Sequence, residues 1–351
     1  MEEGMKETMK AVLLTGYGGL NRLVYREDVP VPVPQRGEVL IRVGAAGINN
    51  TDVWTREGAY GSTEGPSPLS GWLQGEAFSF PRIQGGDIAG CIVDVGPGVD
   101  NRRVGQRVLV DPTIHIGDGE EIAGVLGSER DGGYAEYVAV PSENAHAIET
   151  TLSDAELATF PIAYQTAERM LKRVRLIGGE SILITGASGG AGSALVQLAA
   201  LRQARVIALT SAAHMEEVRD LGADIVLDRG DTHWPEWLRG QVGALDAVAD
   251  VTGGAAFRSL LDMLRPGGRL VTAGAIAGPI VDLDLRRVYL QRLQIIGSTM
   301  GTRSDFLDLV EHIERGRIRP LLADTFPLRD VTRAQEVFAS RKFFGKLSLI
   351  P

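Results

Sequence analysis

Residues 182–199 read ILITGASGGAGSALVQLA, and this stretch decides the fold class. An apolar strand runs into a turn of glycine, alanine and serine, and an apolar helix follows. From about residue 152 onward, strand-length apolar runs alternate with segments of helical spacing. The strands are continuous apolar runs, as a parallel sheet covered on both faces requires. The sequence therefore predicts an α/β fold with a doubly wound parallel sheet.

The glycine-rich turn resembles a dinucleotide-binding fingerprint. Ala187, Gly189 and Gly192 take its three small-residue positions: the tight turn, the backbone approach to a pyrophosphate, and the packing of helix on strand. Ala187 departs from the usual first glycine. Amide groups at the helix start would hold the phosphate charge. A tight turn without a ligand is the alternative, but we predict phosphate contacts from Gly186, Ala187, Ser188, Gly189, Gly190, Ala191 and Gly192.

The strand that follows, RVIALTSAAH, bears on the choice of cofactor. An acid about 20 residues past the glycines would bind the ribose hydroxyls of NAD. Thr210 and Ser211 stand there instead, and no acid follows before Glu216. The sequence therefore favours NADP. His214 and Arg229 are candidate partners for a 2′-phosphate, although both could equally be solvated surface residues.

Three later turns each follow a predicted strand of the sheet. Ligands bind at the carboxyl ends of such strands. Any one of these turns could be a plain connection, but together they predict a groove for ribose and nicotinamide. Its residues are Thr252 and Gly253, then Ala273 and Gly274, then Ser298, Thr299 and Met300.

The first 150 residues predict mostly β structure, with apolar runs separated by glycine and proline turns. A long loop is expected from Gly61 to Pro81, either as a lid over an apolar acceptor or as a surface or dimer-contact loop. It carries Trp72, Phe78 and Phe80. A second loop is expected from Thr113 to Asp131. The tail predicts a strand, a helix and a strand.

Composition bounds the class of protein. The chain has 351 residues, 44% apolar, which fits two domains, and residues 1–8 are expected to be a loose extension. A net charge of −9 argues against nucleic acid or an anionic membrane as a partner. Cys91 is the single cysteine and is expected to be a buried small hydrophobe. It allows no intramolecular disulfide, and neither a secretory signal nor an apolar membrane span is read, so a cytoplasmic location is expected.

Five segments in order resemble the medium-chain dehydrogenase/reductase superfamily, and within it the zinc-free quinone oxidoreductase-like branch. They are AGINNTDVWTREGAY (46–60), GGDIAGCIVDVGPGV (85–99), GGYAEYVAVP (132–141), TGASGGAGSALVQLA (185–199) and GKLSLIP (345–351). The resemblance implies a GroES-like β-rich catalytic domain over 1–152, a Rossmann NADP-binding domain over 153–300, and a segment, 301–351, that completes the catalytic domain. It also implies a cofactor in the cleft and a homodimer.

Zinc-dependent members of that superfamily carry cysteine, histidine and cysteine ligands. The resemblance places these positions at Asn49, Gly86 and near Ile162, with Asp87 where a nearby acid usually stands. Asparagine is a poor zinc ligand, and glycine and isoleucine offer no donor side chain. We therefore expect no catalytic zinc. Without a Lewis acid, hydride is better delivered to an acceptor that stabilises its own negative charge.

The resemblance also suggests catalytic side chains. Tyr60 is the first candidate, as proton donor, although it could simply pack or position a ligand, and water could supply the proton to a quinone. Asn49 would approach the nicotinamide or the acceptor oxygen. Asp52 is a third candidate, although Thr51 and Asp52 could instead cap the following helix. Lys346 is expected to be a surface charge before an edge strand rather than a group in the cleft.

These observations predict an NADPH-dependent reductase of a quinone or an activated α,β-unsaturated carbonyl. Its partner would be a small electrophilic acceptor, with neither nucleic acid nor membrane. An enoyl-thioester reductase is one alternative. A non-catalytic NADPH-binding regulatory or structural protein is another, because intact fingerprint residues do not exclude it.

Overall fold

The computed structural model describes residues 7–60, 78–117 and 121–351. The chain forms two compact units. We call residues 1–162 with 302–351 the β-rich unit, and residues 163–301 the parallel-sheet unit. The domain limits expected from the sequence stay a prediction.

The first part of the β-rich unit is mostly strand, as the sequence predicts. Its strands are β1 (Thr8–Leu14), β2 (Leu23–Pro30), β3 (Glu38–Gly47), β4 (Arg82–Ile83), β5 (Asp87–Val95), β6 (Arg107–Val110), β7 (Thr113–Ile116), β8 (Glu121–Val125), β9 (Tyr137–Pro141) and β10 (Ala145–Ala147). Its helices are α1 (Asn50–Glu57) and α2 (Asp154–Leu157). The expectation of a plain loop over 113–131 is wrong, because β7 and β8 pair as an antiparallel ribbon.

The parallel-sheet unit alternates strands and helices. The strands are β11 (Ser181–Ile184), β12 (Arg205–Thr210), β13 (Ile225–Asp228), β14 (Leu245–Asp250), β15 (Leu264–Thr272) and β16 (Gln294–Gly297). The helices are α3 (Pro161–Arg173), which begins at the end of the β-rich unit, α4 (Gly190–Leu201), α5 (Met215–Arg219), α6 (Trp234–Val242), α7 (Phe257–Asp262) and α8 (Leu285–Gln291).

The strand order β13-β12-β11-β14-β15-β16 is that of a Rossmann sheet, and every neighbouring pair is parallel. Leu183, Ile207 and Val248 are completely buried, so the sheet is covered as the continuous apolar runs predict. From β11 the chain adds β12 and β13 on one side of the sheet, and it then crosses back to add β14, β15 and β16 on the other side. The switch point lies between β11 and β14. In open α/β sheets, ligands bind beyond the carboxyl ends of the strands at this switch point.

The tail returns to the β-rich unit as α9 (Arg303–Glu314), β17 (Leu322–Pro327), α10 (Val331–Ser340) and β18 (Lys346–Ile350). Phe306, Leu309 and Ile313 are buried, so α9 packs one apolar face against the rest of this unit. β18 lies between β3 and β17 in a seven-stranded sheet, in the order β10-β6-β5-β3-β18-β17 with β9 also pairing with β3. The expectation that Lys346 precedes an edge strand is therefore wrong.

Within the described ranges, no helix is both long and apolar enough to cross a bilayer.

Candidate active site

The glycine turn after β11 excludes side chains at two points. Gly186 has φ +61°, the left-handed region that favours glycine. A Cβ on Gly192 would lie 2.1 Å from the carbonyl oxygen of Gly186, so only glycine lets α4 pack this closely on the strand. Ala187 is buried and is not among the residues of positive φ, so its methyl group is accommodated where the fingerprint usually has glycine.

The start of α4 is open to a ligand. Gly189 is its N-cap and supplies no side chain to the first amide groups, which have no partner inside the helix. Gly189 is exposed, and Gly190 and Ala191 are partly exposed. Of the residues predicted to contact phosphate, Gly189, Gly190 and Ala191 therefore form a short, side-chain-poor surface at the positive end of a 12-residue helix.

A buried carboxylate organises the next turn. Asp250, at the end of β14, accepts hydrogen bonds from the Thr185 hydroxyl (2.6 Å), the Thr252 hydroxyl (2.9 Å) and the Gly253 amide. It thereby ties the end of β11 to the turn after β14, on both sides of the switch point. The other predicted groove residues follow β15 and β16 at the same edge of the sheet; Met300 is buried, and the others are Ala273, Gly274, Ser298 and Thr299.

The end of β12 carries the residues that bear on cofactor choice. Thr210 is buried, and its hydroxyl has no hydrogen-bond partner in the part of the chain that the structure describes. The ring of His214 lies 3.3 Å from a carboxylate oxygen of Glu217. Arg229 is exposed, and its amide donates to the carbonyl of Thr210 at 2.7 Å. Asp228, which no sequence motif singles out, is the register partner of Thr210.

In the β-rich unit, Asp52 serves the start of α1. Its Oδ2 accepts the backbone N–H of Asn49, the N-cap residue, at 2.8 Å and the Tyr134 hydroxyl at 2.9 Å. Burial raises the pKa of Asp52 to about 6, against the lowering effect of these two donors. Asp52 thus caps the helix, as the alternative interpretation of the sequence has it, and also keeps a carboxyl group that titrates near neutral pH.

Beside it lies a buried cluster of Asn49, Asp87 and Lys346. Lys346 is 3% exposed and Asp87 is completely buried. The Lys346 ammonium donates to Asn49 Oδ1 and to Asp87 Oδ2, and Asn49 Nδ2 donates to the same Asp87 oxygen at 2.9 Å. The other Asp87 oxygen accepts the amide of Ile162 at 2.7 Å. The expectation that Lys346 is a surface charge is wrong.

The positions at which the resemblance places zinc ligands do not fit the metal in this chain. A Cβ on Gly86 would lie 2.9 Å from Ile162 Cδ1 and 3.1 Å from the carbonyl of Leu126, so even an alanine there forces its neighbours to move. Asn49 contributes an amide already bound to Lys346 and Asp87. Within the described residues, no group of three histidine, cysteine or acidic side chains could hold a metal ion.

A cavity of about 10 Å³, room for one water molecule, adjoins these positions. Its lining is Thr51, Asp52, Thr55, Gly86, Val125, Leu126, Gly127, Ser128 and Ile162. The hydroxyl of Thr51 is buried and has no hydrogen-bond partner among the residues described. An unsatisfied hydroxyl beside a small cavity is a group that a bound oxygen atom could satisfy. Nothing in the sequence singles out Thr51 for this.

Tyr60 follows α1, and its ring packs edge-on against Trp54 with centroids 5.7 Å apart. Burial, with the charges of Asp52 and Glu129, holds the pKa of Tyr60 well above its ordinary value. The phenol therefore stays protonated and can donate a hydrogen bond, but it is a weaker acid than a free tyrosine. Its role as proton donor stays a prediction.

The long loop lies mostly outside the described residues, including Trp72. Its end is described: the rings of Phe78, Phe80 and Tyr17 pack together in tilted and edge-on pairs, with centroids 4.8 to 5.9 Å apart. Cys91 is only half-buried, so the expectation of a buried thiol is wrong.

Comparison with known proteins identifies the family. Residues 35–150 match the alcohol dehydrogenase GroES-like domain, and residues 190–315 match the zinc-binding dehydrogenase domain. An NAD-dependent alcohol dehydrogenase of Sulfolobus acidocaldarius is 30% identical, over 96% of this chain and 98% of that protein. The chain belongs to the medium-chain dehydrogenase/reductase superfamily. It is an oxidoreductase, with a GroES-like part and a Rossmann part as expected from the sequence.

Two further members show the range of this superfamily. A crystallised alcohol dehydrogenase candidate from Sinorhizobium meliloti is 52% identical with a TM-score of 0.95, covering 99% of this chain and 98% of that one. The quinone oxidoreductase of Mus musculus is 29% identical, covering 96% of this chain and 95% of that one. The superfamily thus contains both alcohol dehydrogenases and quinone reductases among the relatives of this chain.

Proposed function

We propose that this member of the superfamily is a zinc-independent, NADPH-dependent reductase of quinones or activated α,β-unsaturated carbonyl compounds. One observation carries the proposal: the zinc position is built from Asn49, Gly86 and Ile162, and Ile162 fills the space that a side chain at 86 would need. Oxidation of an unactivated alcohol needs a Lewis acid or a strong base to stabilise the alkoxide. A quinone or enone stabilises the incoming electron pair itself.

The nucleotide would bind at the carboxyl edge of the parallel sheet. The amides of Gly190 and Ala191 would hold the pyrophosphate. Thr210 and Ser211 would face the 2′-phosphate without the repulsion that an acid at that strand end would cause. Asp228 accepts the amide of Gly230 at 2.9 Å, so its carboxylate is engaged in its own turn. The exposed Arg229 is the nearby cation we assign to the phosphate.

NADPH would supply a hydride from its nicotinamide ring, and the acceptor would take up this hydride together with one proton. The chain contributes hydrogen-bond donors to the acceptor oxygen that gains negative charge: the Thr51 hydroxyl beside the cavity and the Tyr60 phenol. For an enone, the proton would come from Tyr60 or from water, and for a quinone water suffices. Fixed donors of this kind cost no reorganisation during the reaction.

The test is oxidation of NADPH and of NADH with quinones, enones, crotonyl thioesters and aldehydes, and reduction of NADP⁺ and NAD⁺ with alcohols. We expect turnover of quinones or enones with NADPH, unchanged by a chelator and by added zinc. A preference for crotonyl thioesters would favour an enoyl-thioester reductase. Turnover of alcohols that a chelator abolishes would contradict the proposal. Tight NADPH binding with no turnover would favour a non-catalytic role.

We also propose that the chain forms a homodimer through the β16 edge. Among the described strands, β16 pairs only with β15, so one of its edges is free. Seven apolar side chains in the segment from the end of β15 to β16 are between 38% and 76% exposed: Ile276, Ile280, Leu283, Leu285, Tyr289, Leu290 and Ile295. Exposed apolar side chains in the segment that leads into a strand with a free edge favour pairing with a second copy.

Light scattering on the eluted protein tests this arrangement. We expect twice the chain mass of 37.6 kDa for the wild type and a monomer for Leu290→Glu. Leu307→Glu is the matched control, because Leu307 is also an exposed leucine on a helix, at 50% exposure, but lies on α9. A wild-type monomer, or a dimer that survives Leu290→Glu, would contradict the assignment of this edge.

A further inference from the structure

Lys346 is a buried charge that the proposed reaction does not use. Its side chain is 4% exposed and its partner Asp87 is completely buried. Taking both charges out of water has a desolvation penalty that the attraction within a buried ion pair often does not offset. A pair of apolar residues could fill the same space without this penalty. The contacts of Lys346 indicate what the ion pair provides instead.

Lys346 and Asp87 together fix the side-chain amide of Asn49. An ammonium group can only donate hydrogen bonds, and an ionised carboxylate can only accept them. The Asn49 atom facing Lys346 must therefore be the oxygen, and the atom facing Asp87 must be the nitrogen. The oxygen and nitrogen of an amide are usually assigned by inference, but here the chemistry of the two partners allows a single orientation.

This orientation leaves one donor of Asn49 available. The amide nitrogen carries two hydrogens, and one of them binds Asp87. The second has no acceptor among the described residues. Asn49 is the N-cap of α1, and the next residues, Thr51 and Asp52, line the cavity beside Gly86. The Lys346 contact also polarises the amide, since a hydrogen bond from a charged donor to its oxygen makes its N–H groups stronger donors.

We propose that Lys346 is a positioning residue for the reduction: by holding the Asn49 amide between its ammonium and Asp87, it presents the free N–H of Asn49 to the acceptor oxygen that gains negative charge. This inference rests on the proposed function. In place of a metal ion, the amide N–H of Asn49, oriented by Lys346, would stabilise the negative charge on that oxygen.

The test compares three variants. Lys346→Met removes the ammonium but leaves Asp87 buried without its cation, which endangers folding. Lys346→Met/Asp87→Asn removes both charges, and the amide introduced at position 87 can donate as well as accept, so nothing then fixes the amide of Asn49. Lys342→Met is the control, because Lys342 is an exposed lysine of the same segment.

Turnover is measured with a series of substituted quinones whose reduced oxygens differ in basicity, together with the dissociation constant for NADPH. The double variant should lose about tenfold in kcat, which is less than the roughly hundredfold loss on removing a fixed donor to a developing oxyanion, because Asn49 remains but is no longer held in one orientation. The loss should grow with the basicity of the oxygen formed, and NADPH affinity should change less than about twofold. Lys342→Met should match the wild type.

A second readout needs neither cofactor nor acceptor. The side-chain amide resonances of Asn49, identified by their loss in Asn49→Ala, should shift in the double variant and stay in place in Lys342→Met. Unchanged resonances, an unchanged kcat, or an equal loss for every quinone would overturn the positioning role. Turnover by the wild type tests the proposed function separately, so a wild type that reduces quinones and a double variant that does so equally well would refute only this inference.

Discussion

The glycine turn at 186–192 and the cluster of Asn49, Asp87 and Lys346 lie at two ligand positions of the superfamily, and they are built in opposite ways. The turn works through backbone amides and through the absence of side chains, within seven consecutive residues. The cluster works through three side chains, and Lys346 is 297 residues from Asn49 in the chain. A site made of backbone leaves little to vary without losing the ligand. A site made of side chains can exchange a metal for an internal cation while the fold stays the same.

The two regions also differ in what they leave unsatisfied. The amides at the start of α4 have no partner inside the helix and require a ligand or water. In the cluster, Lys346, Asp87 and Asn49 satisfy one another almost completely. Changes in the turn should therefore act mainly on ligand affinity, and changes in the cluster mainly on stability and on the chemical step.

Asp87→Asn should have the largest effect on stability. It leaves the Lys346 ammonium buried without a counter-charge, and removing one partner of a buried ion pair costs about 3–5 kcal/mol. Urea unfolding measures this loss. Asp100→Asn is the control, because the Asp100–Arg102 pair is exposed and should not change the unfolding midpoint. Adding Lys346→Met to Asp87→Asn should restore most of the loss, and a double variant as unstable as the single one would contradict the pairing.

Asp52→Asn should remove a pH dependence of stability. The folded-state pKa of Asp52 is about 6 and its ordinary value is 3.8, so the folded state binds this proton more tightly than the unfolded state. The stabilisation is present below the ordinary value and is lost as pH rises through about 6, by roughly 3 kcal/mol in all. Between about pH 4 and pH 7, the free energy of unfolding of the variant should therefore rise relative to that of the wild type.

The exposed Asp100 again serves as the control, because Arg102 lowers its pKa and any effect of Asp100→Asn should have the opposite sign. Parallel stability curves for wild type and Asp52→Asn would show that Asp52 titrates normally despite its burial.

Gly192→Ala should weaken NADPH binding by about thirtyfold, or about 2 kcal/mol, since the added Cβ would lie 2.1 Å from the carbonyl of Gly186. Displacement of the start of α4 moves the amides away from the pyrophosphate. Fluorescence titration of NADPH measures the affinity. Gly240→Ala is matched, because Gly240 lies within helix α6 and a Cβ there meets nothing within 4 Å. Equal affinity in the two variants would place the pyrophosphate elsewhere.

The same contrast explains how much the sequence could predict. The Rossmann unit was predictable because strand, turn and helix are local, and because Gly186 and Gly192 exclude side chains for reasons visible in the motif. The absence of zinc ligands could be proposed because it depends only on which residue types stand at three positions, 49, 86 and 162. The buried state of Lys346 could not be predicted, because a lysine beside a short apolar strand looks the same at a sheet edge and at a sheet centre. Only the pairing of β18 between β3 and β17 distinguishes these cases.

Two other outcomes have the same cause. The sequence is compatible with Asp52 as a helix cap or as a catalytic group, and the structure shows the cap. Its pKa is raised by burial against the lowering effect of the Tyr134 hydroxyl, which lies 82 residues away in the chain. The space beside Gly86 is filled by the Ile162 side chain, whereas the sequence shows only that Ile162 has no donor atom for a metal. In each case the chemistry depends on residues brought together by the tertiary fold, and no local pattern records them.

Thr51→Val should give the smallest change in stability, with a sign opposite to that of most substitutions. The Thr51 hydroxyl is buried without a partner among the described residues, and valine has nearly the same shape, so removing the hydroxyl should stabilise the chain by about 1 kcal/mol. If this hydroxyl donates directly to the acceptor oxygen, turnover should fall at least about tenfold. Thr51→Ser keeps the hydroxyl and should keep most of the turnover. A Thr51→Val protein that is less stable and equally active would mean that the hydroxyl already has a structural partner, and the cavity beside Gly86 would then have no unsatisfied group to offer an acceptor.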